Sequence, residues 1–248
     1  MNYDLVIPAA PKDYNKVKFC ITSAVKHLYP TPVGIYVVSP AKTHSMRCVN
    51  REVHWINEQE VLGLDPLAAK NFNRPQWIYA MFLKMFQDYT PNQQYLVVDS
   101  DLIFNRPFNV YSEQQKPQFF LGVDQNHTPY FNFSEQYLGF GREYPYSFIS
   151  EIMLFDKSIS EEIADICGGV EKFYELATRV ACQWCIPADY EIYGNYVYKF
   201  HPHAYELINI KTSLHGKFQE EWGDKEIVEL QAKMQNEPID TFTYHTWI

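Results

Sequence analysis

The chain has 248 residues, 46% of them hydrophobic, and a formal net charge of −9. That length and apolar content suffice for one α/β domain with a substantial core. The acidic balance argues against nonspecific nucleic-acid binding, which needs a basic footprint, and no apolar run reaches the roughly 18 residues of a transmembrane helix.

Asp4 to Pro8 is a short apolar run that reads as a first strand. Val17, Ile21, Ala24, Val25 and Leu28 then recur at helical spacing, with Asp13 or Asn15 as candidate caps. Val33 to Val38 predicts a second strand and Val53 to Ile56 a third. Pro75 opens a helix, where its missing N–H costs nothing. Trp77, Ile78, Met81, Phe82, Met85, Phe86 and Tyr89 form that helix's apolar stripe. A strand follows from Tyr95, and the βαβ alternation implies a mostly parallel sheet. In the second half, Phe119 to Val123 predicts a strand, Asn126 to Tyr146 a loop, and Ile152 to Phe155 a short strand. Ser158 to Glu161 has capping-box spacing for a helix that stops at Gly168-Gly169. Val170 to Ala181 is a further amphipathic helix. Tyr196 to Phe200 and Glu206 to Leu214 read as strands, Asp224 as the cap of a helix through Met234, and Thr241 to Trp247 as a last strand. No repeat or domain boundary interrupts the chain, so residues 1–248 are expected to form a single domain.

Tyr95-Leu96-Val97-Val98-Asp99-Ser100-Asp101-Leu102-Ile103-Phe104 is the most informative stretch. A continuous apolar run is the mark of a fully buried strand. The aspartates therefore sit where a core strand surfaces at its carboxyl end, the edge at which open α/β sheets bind ligands. In an extended segment residues two apart point the same way, so both carboxylates are expected to face one ligand. Two adjacent hard oxygen anions call for a shared cation, and Mg²⁺ or Mn²⁺ bridging to substrate phosphates is the usual one. A calcium loop is excluded, because Ile103 and Phe104 stand where a further ligand and a glycine are required. An aspartyl-phosphate phosphatase, with Asp99 as nucleophile, also places Asp-x-Asp after a strand. Its motif belongs near the first strand, and Ile103 departs from its pattern.

Five cysteines, Cys20, Cys48, Cys167, Cys182 and Cys185, and an amino terminus without signal-peptide character point to reduced thiols and a cytoplasmic protein. Cys182-Gln183-Trp184-Cys185 has C-x-x-C spacing. It lacks both the second ligand pair of a zinc site and the βαβ position of a redox motif. Among 19 Tyr and 17 Phe, most are expected in the core, although tyrosine also suits the faces of sugars. Asp189 and Glu191 precede Tyr193-Gly194-Asn195. If extended, that segment aims both carboxylates one way. If helical, they are the acids of a first turn. Glu151 is a third carboxylate just ahead of an apolar strand.

With these segments placed, the chain resembles GT-A glycosyltransferases. More narrowly it resembles a little-characterised bacterial and viral family of polysaccharide-building transferases. The likeness is carried by Val6-Ile7-Pro8, by Arg74-Pro75-Gln76-Trp77-Ile78 leading to Lys84, by Asp99-Ser100-Asp101, by Ser147 to Phe155, and by Ala188 to Tyr196. It implies a GT-A-like domain with a nucleotide-sugar half at 1–105 and a less regular acceptor half at 106–248. It also implies a metal-dependent transfer of sugar from a nucleotide-diphosphate donor to a glycan or other hydroxyl acceptor, with Mn²⁺ or Mg²⁺. Pro8, Arg74, Lys84, Asp99, Ser100 and Asp101 become the implied donor-binding residues. Asp101 would ligate the metal directly, and Asp99 would hold the metal or the ribose. A late histidine often completes such sites. His215, at the end of an alternating strand, is preferred here, with His245 second. Asp189 or Glu191 is the implied base or acceptor ligand. The run Val6 to Ala10 lacks a glycine-rich phosphate loop, which counts against a nucleotidylyltransferase. A metal-dependent phosphatase and an inactive carbohydrate-binding protein are the alternatives. Peripheral membrane contact stays open.

Overall fold

The apolar run near the amino terminus forms strand β1 (Tyr3–Pro8), buried over nearly its whole length. A single 3-10 turn (Pro11–Asp13) leads into helix α1 (Tyr14–His27), whose face of Val17, Cys20, Ile21 and Ala24 is buried. Short β2 (Leu28–Tyr29), β3 (Ile35–Ser39) and β4 (His54–Asn57) follow, then the one-turn α2 (Glu58–Val61). Helix α3 (Pro75–Met85) starts with Pro75 in its first turn and ends where Phe86 turns extended. Next comes β5 (Gln94–Val98). The computed structural model describes residues 1–44, 51–121, 127–218 and 221–247. Cys48, the expected strand residues Gly122 and Val123, and Asn126 lie outside them.

The central sheet has the order β4-β3-β1-β5-β9, where β9 spans Ile152–Asp156. The first four strands run parallel and β9 runs antiparallel to β5. The protein is thus mixed α/β with a mostly parallel sheet flanked by helices. Parallel strands are covered on both faces, and two apolar clusters do so here. One is built on α3 and the helices that follow β9, the other on α1.

The aspartate strand divides. Beyond Val98 the chain makes a tight turn, Leu102 N–H donating to Asp99 O at 3.1 Å. It resumes as β6 (Leu102–Phe104), followed by short β7 (Phe108–Asn109) and β8 (Gln118–Leu121). The loop expected from Asn126 to Tyr146 instead holds helix α4 (Thr128–Phe133) and a π-helical turn (Ser134–Leu138) closed by Gly139 in the left-handed region. After β9 come α5 (Lys157–Asp165), capped by Asp156 rather than Ser158, and α6 (Val170–Val180). Gly168 and Gly169 separate these two helices at positive φ, which glycine adopts without strain.

Helix α7 (Asp189–Phe200) overturns the expected strand at Tyr196 to Phe200. Tyr190, Tyr193 and Val197 recur at helical spacing and are buried, so this aromatic run is helical by period despite its β-forming residue types. The expected strand at Glu206 to Leu214 breaks in two. Its parts are β10 (Glu206–Asn209), paired with β8, and β11 (Thr212–Phe218). Helix α8 (Asp224–Met234) precedes β12 (Thr241–Trp247). Strand β12 lies between β11, parallel, and β6, antiparallel. This second sheet brings the carboxy-terminal strand to the aspartate turn. Among the described residues no helix is long and apolar enough to cross a membrane.

Candidate functional site

The turn between β5 and β6 lies at the carboxyl edge of the central sheet. Asp99 N–H donates to Glu151 O at 3.2 Å, extending the β5–β9 ladder one step beyond Val98. Glu151 reaches this position with φ 62°, a conformation that is uncommon outside glycine and concentrates at functional sites. Because the aspartates occupy a turn, not an extended strand, they do not share partners as expected. Each has its own cation.

Asp99 accepts from Lys84 Nζ at 2.6 Å. Lys84 also stands 3.9 Å from Asp189 and lies over the ring of Tyr190. Burial alone would lower the Lys84 pKa, but Asp99, Tyr190 and Asp189 outweigh it and hold the ammonium well above its ordinary value. Lys84 therefore belongs to the cluster and not to the exposed face of α3.

Asp101, 7% exposed, meets His245 Nδ1 at 2.9 Å, and Lys16 Nζ stands 3.7 Å away. The other ring nitrogen of His245, Nε2, meets Glu151 Oε1 at 3.0 Å. Burial opposes the imidazolium, but the hydrogen bonds and charges of Asp101 and Glu151 push it up to about 10. For Asp101, burial raises and His245 and Lys16 lower, with a net lowering. For Glu151 burial prevails, helped by the like charges of Asp99 and Asp101, and its pKa is raised. Lys16 is fully buried and pairs with Asp13 at 2.7 Å.

Strand register decides which histidine reaches the turn. Thr243 pairs with Leu102, and Tyr244 N–H donates to Asp101 O at 3.3 Å, so the next residue, His245, falls beside Asp101. His215 pairs with Tyr244 and faces the same side as it does, against Phe242 and Ser213. The structure thus brings His245, and not the preferred His215, to the aspartate turn. An alternating strand shows which residues share a face, but not what that face meets.

Of the two readings of Asp189 and Glu191, the helical one holds. They begin α7, and residues two apart on a helix diverge. Asp189 faces Lys84. Its Oδ2 is buried without a hydrogen-bond partner, and burial, offset in part by Lys84, raises its carboxyl to about 6. Glu191, 1% exposed, turns the other way. Ser147 Oγ donates to it at 2.5 Å, Phe148 N–H at 3.4 Å, and Asn195 Nδ2 at 3.2 Å. It anchors the chain ahead of Glu151 and does not face the site. Arg74 caps α3 from the surface, with its guanidinium over Trp77. Pro8 ends β1, and Ser100 is buried in the aspartate turn.

Asp13, read from the sequence only as a helix cap, pairs with Lys16 instead of capping α1, and with Lys16 and Tyr190 it belongs to the cluster. Five carboxylates (Asp13, Asp99, Asp101, Glu151, Asp189) thus gather around three cations (Lys16, Lys84, His245). Hard oxygens with one imidazole suit Mn²⁺ or Mg²⁺ in kind, although no group of three such side chains among the described residues is poised to hold a metal ion. A cavity of about 420 Å³ lies elsewhere, lined by Leu62, Leu64, Met85, Phe86, Gln87 and Val170. It holds none of these carboxylates, so clustered charge rather than volume identifies the site.

Cys182 and Cys185 face each other across a two-residue turn as free thiols. No protein-family model matches the chain, and no curated protein matches it.

Proposed function

We propose that the protein is a GT-A-type glycosyltransferase. It moves a sugar from a nucleotide-diphosphate donor to a hydroxyl of a glycan, with Mn²⁺ or Mg²⁺ at the Asp99–Asp101 turn. The observation that carries this reading is the meeting of that turn, at the carboxyl edge of a parallel sheet, with His245 from the last strand. Asp99, Asp101, Glu151 and His245 are the residues that would hold the metal. When bound, it supplies neutralisation of the charge developing on the diphosphate leaving group.

The remaining chemistry rests on side chains of the chain itself. The acceptor hydroxyl must lose a proton as it attacks the anomeric carbon. Asp189 is the base in this reading. Its carboxyl, raised to about 6, lies near the operating pH, where a general base is most effective, and its Oδ2 is free to accept. Lys84 binds between Asp99 and Asp189 and carries positive charge to where donor phosphates and acceptor would adjoin. The ring of Tyr190 holds its position. Glu191 positions the loop that leads to Glu151 and moves no proton.

The test is a thermal-shift series with UDP and GDP, with and without Mn²⁺. A ligand that binds the native state raises its apparent stability. A shift that needs both nucleotide and Mn²⁺, and that Asp101→Asn loses while its circular dichroism stays native, is the expected result. No shift with any nucleoside diphosphate overturns the reading. Release of inorganic phosphate from a phosphate monoester would replace it with the phosphatase.

A further inference from the structure

The loop that carries Glu151 also carries an aromatic surface away from the charged cluster. Tyr144 lies 5.8 Å from Tyr146 and 4.9 Å from Tyr198 of α7, ring centre to ring centre. Tyr146 is 53% and Tyr198 39% exposed. Single exposed aromatics are ordinary, but two of them flanking a third ring form a patch. None of the three hydroxyls has a hydrogen-bond partner among the described residues, so each can donate and accept.

The patch is rigidly backed. Tyr144 packs on Phe148, which is fully buried. Asn195 Oδ1 accepts from the backbone N–H of Glu143 at 2.7 Å and of Tyr144 at 3.3 Å. Arg142 braces the same loop by donating to Tyr144 O and Pro145 O. Beside it Tyr198 borders a cleft of about 320 Å³ whose other walls include Lys116, His203 and Glu206. Flat amphipathic rings beside a cleft that mixes apolar side chains (Val197, Leu207) with polar ones (Lys116, His203, Glu206) match the chemistry of a sugar, whose C–H face stacks while its hydroxyls hydrogen-bond. A preorganised surface also loses little entropy on binding.

Tyr198 is on the α7 stripe of Glu191 and Asn195, half a turn round the helix from Asp189, so the patch is separate from the charged cluster. Successive ring centres lie 5.8 and 4.9 Å apart, so consecutive sugars of a chain, rather than one sugar, can each meet a ring. We infer that Tyr144, Tyr146 and Tyr198 form an oligosaccharide-binding platform. The platform does not rest on the transferase reading.

The experiment presents the intact protein to an array of immobilised oligosaccharides. Calorimetry then uses the best-retained sugar class in increasing length. The expected result is retention of at least one class, with affinity rising with chain length. Tyr146→Ala and Tyr198→Ala should each lower that affinity about three- to tenfold. Tyr146→Phe and Tyr198→Phe, which keep the ring, should stay close to the parent. No retained oligosaccharide, or alanine variants that bind as the parent does, would overturn the platform. The nucleoside-diphosphate shift separates the two readings. Nucleotide binding without glycan binding removes the platform and leaves the transferase. Glycan binding without nucleotide binding removes the transferase and leaves the platform.

Discussion

His245 Nδ1 lies 2.9 Å from Asp101 Oδ2, across 144 residues of sequence. The contact makes the last strand part of the aspartate turn. It predicts that His245→Gln weakens Mn²⁺-dependent binding of a nucleoside diphosphate by at least about tenfold, the loss expected for one polar partner in a buried site. His215→Gln should bind as the parent does, because His215 faces Phe242. Calorimetry on the two variants checks this, and unchanged affinity in both would place both histidines outside the site.

Lys84 is the shared cation of Asp99 and Asp189. Lys84→Met should destabilise the fold by about 3 kcal/mol, since removing one partner of a buried pair leaves charge uncompensated. Asp189→Asn in the same chain should restore part of that loss. Urea unfolding of the parent, both single variants and the double variant measures the coupling, and simple additivity would mean that the two side chains do not interact.

Asp189 makes stability depend on pH in a definite direction. Its folded carboxyl titrates at about 6, above an unfolded value of about 3.9. The folded state therefore holds this proton more tightly. The contribution is fully present below about pH 4 and is lost as pH rises through 6, on the order of 1–3 kcal/mol. Asp189→Asn should flatten that part of the parent's stability curve. Unfolding followed at several pH values between about 4 and 7 decides it, with parallel curves as the contrary result.

Gly194 sits in α7 with no room for a side chain. A Cβ there would stand 2.2 Å from the Phe148 ring. Glycine to alanine in a helix ordinarily stabilises by about 0.5–1 kcal/mol. Here overpacking should reverse the sign, and Gly194→Ala should cost about 1–3 kcal/mol. A denaturation midpoint that rises instead would show that Phe148 moves aside freely.

Local pattern carried much of the fold. Thr241 to Trp247 alternates and forms β12 over those residues, Asp224 to Met234 is α8, and Pro75 opens α3. These elements are set by periodicity and by Pro75's fixed φ, which act within a few residues. The Asp99-Ser100-Asp101 motif and its place after a buried strand were legible for the same reason. The partners of the motif were not. Register between β11, β12 and β6 chose His245 over His215, and the burial of one face of α7 sent Glu191 to Ser147 and left Asp189 with Lys84. Tyr196 to Phe200 read as a strand because its aromatic residues favour one in isolation, while packing made it helical. Composition and spacing determine which faces are apolar. Which charged groups then meet across a hundred residues depends on how those faces pack, and only the tertiary structure decides that.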